Sequence, residues 1–356
     1  MMSPRTGKAR VILGTMTFGP DPSTGARITS LDTYNSVLDY FQSQGYSEID
    51  TARSYVGGQQ EAFTRAANWK ARGLTCATKW YPYGGNDEDK IGAHKAEKLE
   101  QMFNKSLEEL GTDYVDIFYL HAADRTVPFQ EPLRKMDELH KKGKFGKLGI
   151  SNFTSYELAE VVMICKANGW VQPTVFQCVY NAITRNIDPE LVAACRRYGL
   201  DIVVYNPIAG GLLSGKYTSL QVDAVPSEGR YSNVDGEVGD VYRKRYFKDE
   251  LFEALRIIES AAQRSGLTLL EIAFRWLIHH SALNIKDGGN DGIVIGVSSQ
   301  AQLEQNLQHL EKGPLPEDVL EALDLAAKVS KATAQNYWHG ELEYTYDTKE
   351  ALRTIV

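Results

Sequence analysis
Apolar positions along this chain of 356 residues alternate between two periods. Short β-favouring runs predict eight strands: Val11–Gly14, then segments near Ser47–Asp50, Leu74–Lys79, Tyr114–His121, Lys147–Ser151, Val175–Val179, Asp201–Tyr205 and Ile293–Gly296. Stretches of helical spacing lie between them. Asp32–Gln44 carries Tyr34, Val37, Leu38 and Phe41 at i, i+3, i+4 and i+7 and stops at Gly45. Further helices are predicted near Gln59–Lys70, Ile91–Leu110, Glu131–Lys142, Ser155–Asn168 and Pro189–Tyr198. Strand then helix, repeated with short connections, makes a parallel sheet through right-handed crossovers. Eight repeats favour closure into a (β/α)8 TIM barrel over an open doubly wound sheet.

Two segments break the rhythm. Residues 206–247, rich in Gly, Ser, Asp and Tyr, form an excursion too long for an ordinary connection, and such loops commonly carry function. It leads into helices predicted at Asp249–Ser265 and Leu269–His280. A last helix near Glu317–Val329 precedes an aromatic tail, Tyr337-Trp338-His339 and Tyr344-Thr345-Tyr346, which is either disordered or walls a pocket. The expected organisation is therefore one domain over residues 1–356, with a barrel core at about 10–330 and a tail from 331.

Composition narrows the classes. With 43% hydrophobic and 24% charged residues the chain can bury a large core. A net charge of −7 and a pI near 5.6 argue against nucleic acid or an acidic membrane surface, so an anionic ligand needs a local site. Cys76, Cys165, Cys178 and Cys195 show neither a disulfide framework nor metal-like spacing, and no metal is expected. No signal core or run long enough to span a bilayer is apparent, and a cytoplasmic location is expected.

Four polar residues stand where predicted strands give way to loops: Asp50 and Tyr55, Lys79, and His121. Singly, each residue type is ordinarily surface or core material. On the carboxyl ends of successive barrel strands they converge on one mouth. A phenol of ordinary pKa near 10 can serve as a proton donor at neutral pH only when its neighbours tune it. An ammonium stabilises the phenolate, a carboxylate positions the ammonium, and an imidazole can orient a substrate oxygen. No G-x-G-x-x-G follows a strand, but Gly296-Val297-Ser298-Ser299 runs into a helix whose N-terminus can hold a phosphate. The plainer alternative makes Ser298 or Ser299 a simple helix cap.

Asp50-Thr51-Ala52 with Tyr55, Ala77-Thr78-Lys79, and Tyr119-Leu120-His121 resemble the tetrad of the aldo-keto reductases. The resemblance spans roughly residues 10–340 and implies NADPH as cofactor. It implies that Ser151, Asn152 and Gln177 hold the nicotinamide carboxamide and that Tyr205 stacks on its ring. Asn206-Pro207-Ile208-Ala209-Gly210-Gly211-Leu212-Leu213-Ser214-Gly215-Lys216 is similar to the loop over the pyrophosphate, which brings in Asn206, Leu212, Gly215 and Lys216. Ser298, Gln302 and Asn306 match the adenosine-phosphate segment. With Gly229-Arg230-Tyr231 and Tyr242-Arg243-Lys244-Arg245-Tyr246, the late loop looks most like the aflatoxin-aldehyde and succinic-semialdehyde reductase branch. There, an arginine matching Arg230 meets the anionic end of the substrate, whereas Arg243–Arg245 reads as a solvated helix-entry cluster.

That resemblance implies reduction of aromatic, dicarbonyl or carboxylate-bearing aldehydes and some ketones. Gln302 departs from the pattern, since many members carry there an arginine that pairs with the 2′-phosphate of NADPH. The other reading is a nucleotide-binding regulatory subunit like the potassium-channel β subunits, which share fold and nucleotide. Branch members are often dimers, so a homodimer is compatible with the sequence, although no dimer surface is legible in it.

Overall fold
In the computed structural model, which describes residues 8–83, 91–217, 229–232, 237–285 and 289–353, eight parallel strands close into a barrel in chain order. They are β1 (Arg10–Gly14), β2 (Glu48–Asp50), β3 (Thr75–Trp80), β4 (Val115–Leu120), β5 (Phe145–Ser151), β6 (Pro173–Val179), β7 (Asp201–Tyr205) and β8 (Gly292–Gly296). Closure comes from β1 pairing with both β2 and β8, with Gly14 opposite Asp50 on one side and Gly296 on the other. The expected fold is the observed one.

The helices outside the strands are α1 (Leu31–Ser43), α2 (Gln60–Ala66), α3 (Ala96–Leu110), α4 (Gln130–Lys141), α5 (Ser155–Asn168) and α6 (Leu191–Tyr198). α1 lays an apolar stripe of Tyr34, Val37, Leu38 and Phe41 on the barrel, with Ser30 capping its N-terminus, whereas α2 buries the mostly polar set Gln60, Glu61, Phe63 and Thr64. Two helices are shorter than their periodicity suggests. α2 ends at Ala66 because Asn68 adopts a left-handed conformation (φ 58°), and α3 starts only at Ala96, beyond the left-handed Gly92. Later come α7 (Glu237–Tyr246), α8 (Asp249–Ser265), α9 (Leu269–His279), α10 (Gln300–Leu310), α11 (Glu317–Ser330) and α12 (Thr348–Arg353). The long excursion thus contains α7, while residues 218–228 and 233–236 of it, like the N-terminal residues 1–7, lie outside the described residues.

The core has two layers. A large one fills the space between strands and helices, and a small one inside the barrel comprises Ile12, Ala77, Ile117, Tyr119, Val175, Val203 and Val294. Room for the Tyr119 ring is made by Gly149, where a Cβ would sit 2.2 Å from the ring carbon Cδ1. At the opposite end from the strand carboxyl termini, Arg10 pairs with Glu48 at 2.7 Å and closes the barrel floor. All four cysteines are buried thiols.

The tail walls the mouth of the barrel. Tyr337 is buried and its hydroxyl accepts from the backbone N–H of Ser155 at 3.2 Å. The His339 N–H donates to the Asn152 carbonyl at 3.1 Å, and Arg125 donates to the His339 carbonyl at 2.7 Å. Arg125 is itself held in a buried pair with Glu157 at 2.7 Å. The same carboxylate closes the capping box of α5 with Thr154 and accepts from Tyr344 at 2.7 Å.

Candidate active site
β2, β3 and β4 end side by side, which brings together residues 50, 79 and 121. Lys79, fully buried, donates to the Asp50 carboxylate and, at 2.6 Å, to the Thr51 carbonyl. The other Asp50 oxygen accepts from Gln177 Nε2 at 2.9 Å, so Gln177 at the end of β6 belongs to the same network. Tyr55 follows in a 3₁₀ turn (Tyr55–Gly58), with the Lys79 ammonium 5.2 Å from the centre of its ring. Its ring meets that of His121 edge-on, with centroids 6.0 Å apart. His121 Nδ1 is buried and has no hydrogen-bond partner among the described residues. A buried orphan nitrogen beside a phenol is a place for an acceptor or donor atom from a ligand.

Electrostatics sort the protonation states. Burial, then the Asp50 charge, hold the Tyr55 phenol well above its ordinary value, against the opposing charge of Arg230. Burial and the Asp50 charge outweigh any downward tuning of the phenol by its cationic neighbours. Tyr55 is a neutral O–H at neutral pH, the form that can give a proton. Burial also lowers Lys79, with Asp50 opposing, and drives His121 well below the usual imidazole range with help from the Lys79 charge. A neutral phenol and a neutral imidazole face one space.

The residues matched to the nicotinamide also meet. Ser151 pairs with Gln177 in register across β5 and β6. Asn152, left-handed at φ 57°, donates through Nδ2 to the His121 carbonyl at 2.9 Å and to Ser151 Oγ at 3.0 Å. Its Oδ1 accepts from the Tyr205 hydroxyl at 2.7 Å. These four polar groups and the Tyr205 ring form a continuous wall next to Tyr55 and His121, which suits a carboxamide on a flat ring.

The second set lies on other elements. Asn206, also left-handed, is held by Tyr242 at 3.2 Å and Tyr246 at 3.4 Å and begins the turn containing buried Leu212; Gly215 ends it and Lys216 is exposed. Ser299 caps α10, accepting from the Gln302 N–H at 3.3 Å. Ser298 donates its N–H (2.9 Å) and its hydroxyl (3.0 Å) to Gln302 Oε1, and Asn306 lies buried one turn on. The Gln302 oxygen on which these two donors converge, at a helix N-terminus, is what a phosphate oxygen would replace, so the residues fit an anionic nucleotide.

Arg230 stacks near the Tyr242 ring, its guanidinium carbon 5.2 Å from the centroid. The solvated cluster expected at 243–245 is corrected by the fold. Arg243 turns back to Asp240 and the Tyr231 carbonyl, while Arg245 reaches into the mouth, 5.6 Å from the same Tyr242 ring and 3.2 Å from His339 Nε2. His339 also meets the hydroxyls of Tyr81 (3.2 Å) and Tyr205 (3.3 Å). The sequence pointed to the tail, His339 included, as a pocket wall, but not to Arg245 or Tyr81 as mouth residues. The only signal for Tyr81 was its place just past the end of β3.

The matching of this chain to known proteins agrees with that geometry. Residues 10–328 match the model of the aldo/keto reductase family. An aldo-keto reductase of Pseudocercospora fijiensis is 39% identical over 85% of this chain and all of its own length. Aflatoxin B1 aldehyde reductase member 2 of Mus musculus is 38% identical, covering 92% of this chain and 87% of that protein. Aflatoxin B1 aldehyde reductase member 4 of Homo sapiens is 36% identical over 95% of this chain and all of its own. Among the described residues no helix is long and apolar enough to cross a membrane. A closed eight-stranded barrel with a phenol, an ammonium, a carboxylate and an imidazole at its mouth, matched over nearly its whole length, belongs to the aldo/keto reductase family of oxidoreductases acting on small carbonyl compounds.

Proposed function
We propose that this chain, as one barrel domain, uses NADPH to reduce aldehydes, aromatic, dicarbonyl or carboxylate-bearing, and some ketones to alcohols. The observation that carries the reading is the neutral Tyr55 phenol beside the orphaned His121 imidazole, with the Lys79–Asp50 pair buried behind them. NADPH, when bound, supplies the hydride. Ser151, Asn152 and Gln177 would hold its carboxamide, Tyr205 its ring, Asn206, Leu212, Gly215 and Lys216 its pyrophosphate, and Ser298, Gln302 and Asn306 its adenosine phosphate.

The substrate oxygen sits between Tyr55 and His121. The imidazole orients it, and the phenol gives it the proton as negative charge develops there. Lys79 keeps Asp50 and the Thr51 backbone in place, which fixes the floor of the site. Arg230 and Arg245, both against Tyr242, favour an anionic group at the far end of the substrate. The relatives named for aflatoxin B1 aldehyde support the aldehyde class.

The test follows NADPH absorbance with nitrobenzaldehyde and succinic semialdehyde, offered separately to wild type and Tyr55→Phe. Turnover in the variant should fall by about 10² to 10⁴-fold while nucleotide binding persists. Unchanged turnover would sink the proton-donor assignment; tight nucleotide binding with no turnover by wild type would favour a regulatory protein.

A further inference from the structure
We infer that Glu61 is a positioning residue for Tyr55, a carboxylate that ties the Tyr55 turn to the strand carrying Lys79; this rests on the proposed reductase reading. The turn is conformationally demanding. Val56 (φ 51°), Gly57 (φ 60°) and Gly58 (φ 83°) are all left-handed, and a β-branched residue adopts that region only when its surroundings enforce it. The enforcement comes from Arg53 and Glu61. Glu61, in the first turn of α2, is fully buried. One of its oxygens accepts from the Thr78 hydroxyl at 2.6 Å, next to Lys79 in β3, and the other accepts from the Arg53 guanidinium. Arg53 in turn donates to the Gly58 carbonyl, at the far end of the turn, and its backbone N–H donates to the Lys79 carbonyl at 3.0 Å.

One buried carboxylate therefore spans both flanks of Tyr55 and the residue preceding Lys79. Gly58 has a matching reason to be glycine, since a Cβ there would approach Arg53 Nη2 to 2.8 Å. A buried carboxylate is retained where a countercharge holds it, and here the countercharge closes the turn. Loosening the link should displace Tyr55 relative to the Lys79–Asp50 pair and leave the wall of Ser151, Asn152 and Tyr205 intact. The effect belongs to the chemical step rather than to nucleotide binding.

Glu61→Gln keeps shape and an acceptor for Thr78 but leaves Arg53 without its countercharge. Per NADPH-binding site, kcat should fall roughly tenfold to a hundredfold, with KM and NADPH affinity changed by no more than about twofold. The primary isotope effect with NADPH deuterated at the transferred position should rise, because chemistry becomes slower than product release. Glu61→Asp should recover part of the rate. A purely structural role would lower stability and the fraction of binding-competent molecules while leaving kcat per site and the isotope effect unchanged, and that result overturns the inference. Should Glu61→Gln not fold, Arg53→Met carries the same test, since methionine fills similar space but has no N–H to give to Glu61 or Gly58. Wild type that binds NADPH but turns over no aldehyde overturns the reductase reading, and the inference with it; active wild type with equally active variants overturns the positioning role alone.

Discussion
Replacing Asp50 with Asn would leave a buried ammonium without its countercharge. Lys79 is fully buried, and its remaining partner is the Thr51 carbonyl at 2.6 Å. Removing one member of a buried pair costs about 3–5 kcal/mol; Asn keeps the shape and one acceptor oxygen, so about 3 kcal/mol is expected. For a chain of 356 residues the unfolding entropy is about 0.75 kcal/mol per kelvin, which turns that loss into a Tm lower by about 4 °C. The pH dependence has a defined sign. Burial already holds Lys79 below its ordinary 10.5, and the Asp50 charge is the main force opposing this, so the variant's folded value drops further. Below that value both states carry the proton and the penalty is complete; as pH rises toward 10.5 the unfolded chain holds more protons than the folded one, and stability recovers. Urea midpoints at several pH values from about 6 to 10 would read this out, with the deficit shrinking upward. Adding Lys79→Met should restore much of the loss, because the stranded charge leaves with it. A variant as stable as wild type at neutral pH, or a deficit that grows with pH, would refute the reasoning.

Two further outcomes are expected beside those for Tyr55 and Glu61. His339 is held at about 3 by burial and by the charges of Arg245 and Arg125. With its folded value below the unfolded 6.5, the unfolded chain takes the proton first, so stability is lost as pH falls from 6.5 toward 3; His339→Asn should flatten that part of a urea-midpoint profile. Gly149→Ala would press a methyl into the Tyr119 ring inside the barrel and should cost about 1–3 kcal/mol, checked by urea unfolding, with Tyr119→Val in the same chain relieving it.

Much of the architecture is a local property of the chain. Strands and helices follow from apolar period, which neighbouring residues set among themselves, and the stripe of Tyr34, Val37, Leu38 and Phe41 is buried as its spacing implies. Residues at strand ends, such as Asp50, Lys79 and His121, were legible as a set because barrel closure sends all strand carboxyl ends to one mouth. Tertiary contact decided what locality cannot reach. Helix ends shifted where Asn68 and Gly92 turn left-handed. The protonation state of Tyr55 depends on burial and on the Asp50 and Arg230 charges around it, and both arise from packing. Arg245 looked like a solvated neighbour of Arg243 and Lys244, yet the turn of α7 points it into the mouth. His339 meets Asn152 and Arg125 only because the chain, 214 residues after Arg125, returns across the barrel, a long-range closure that no local pattern encodes.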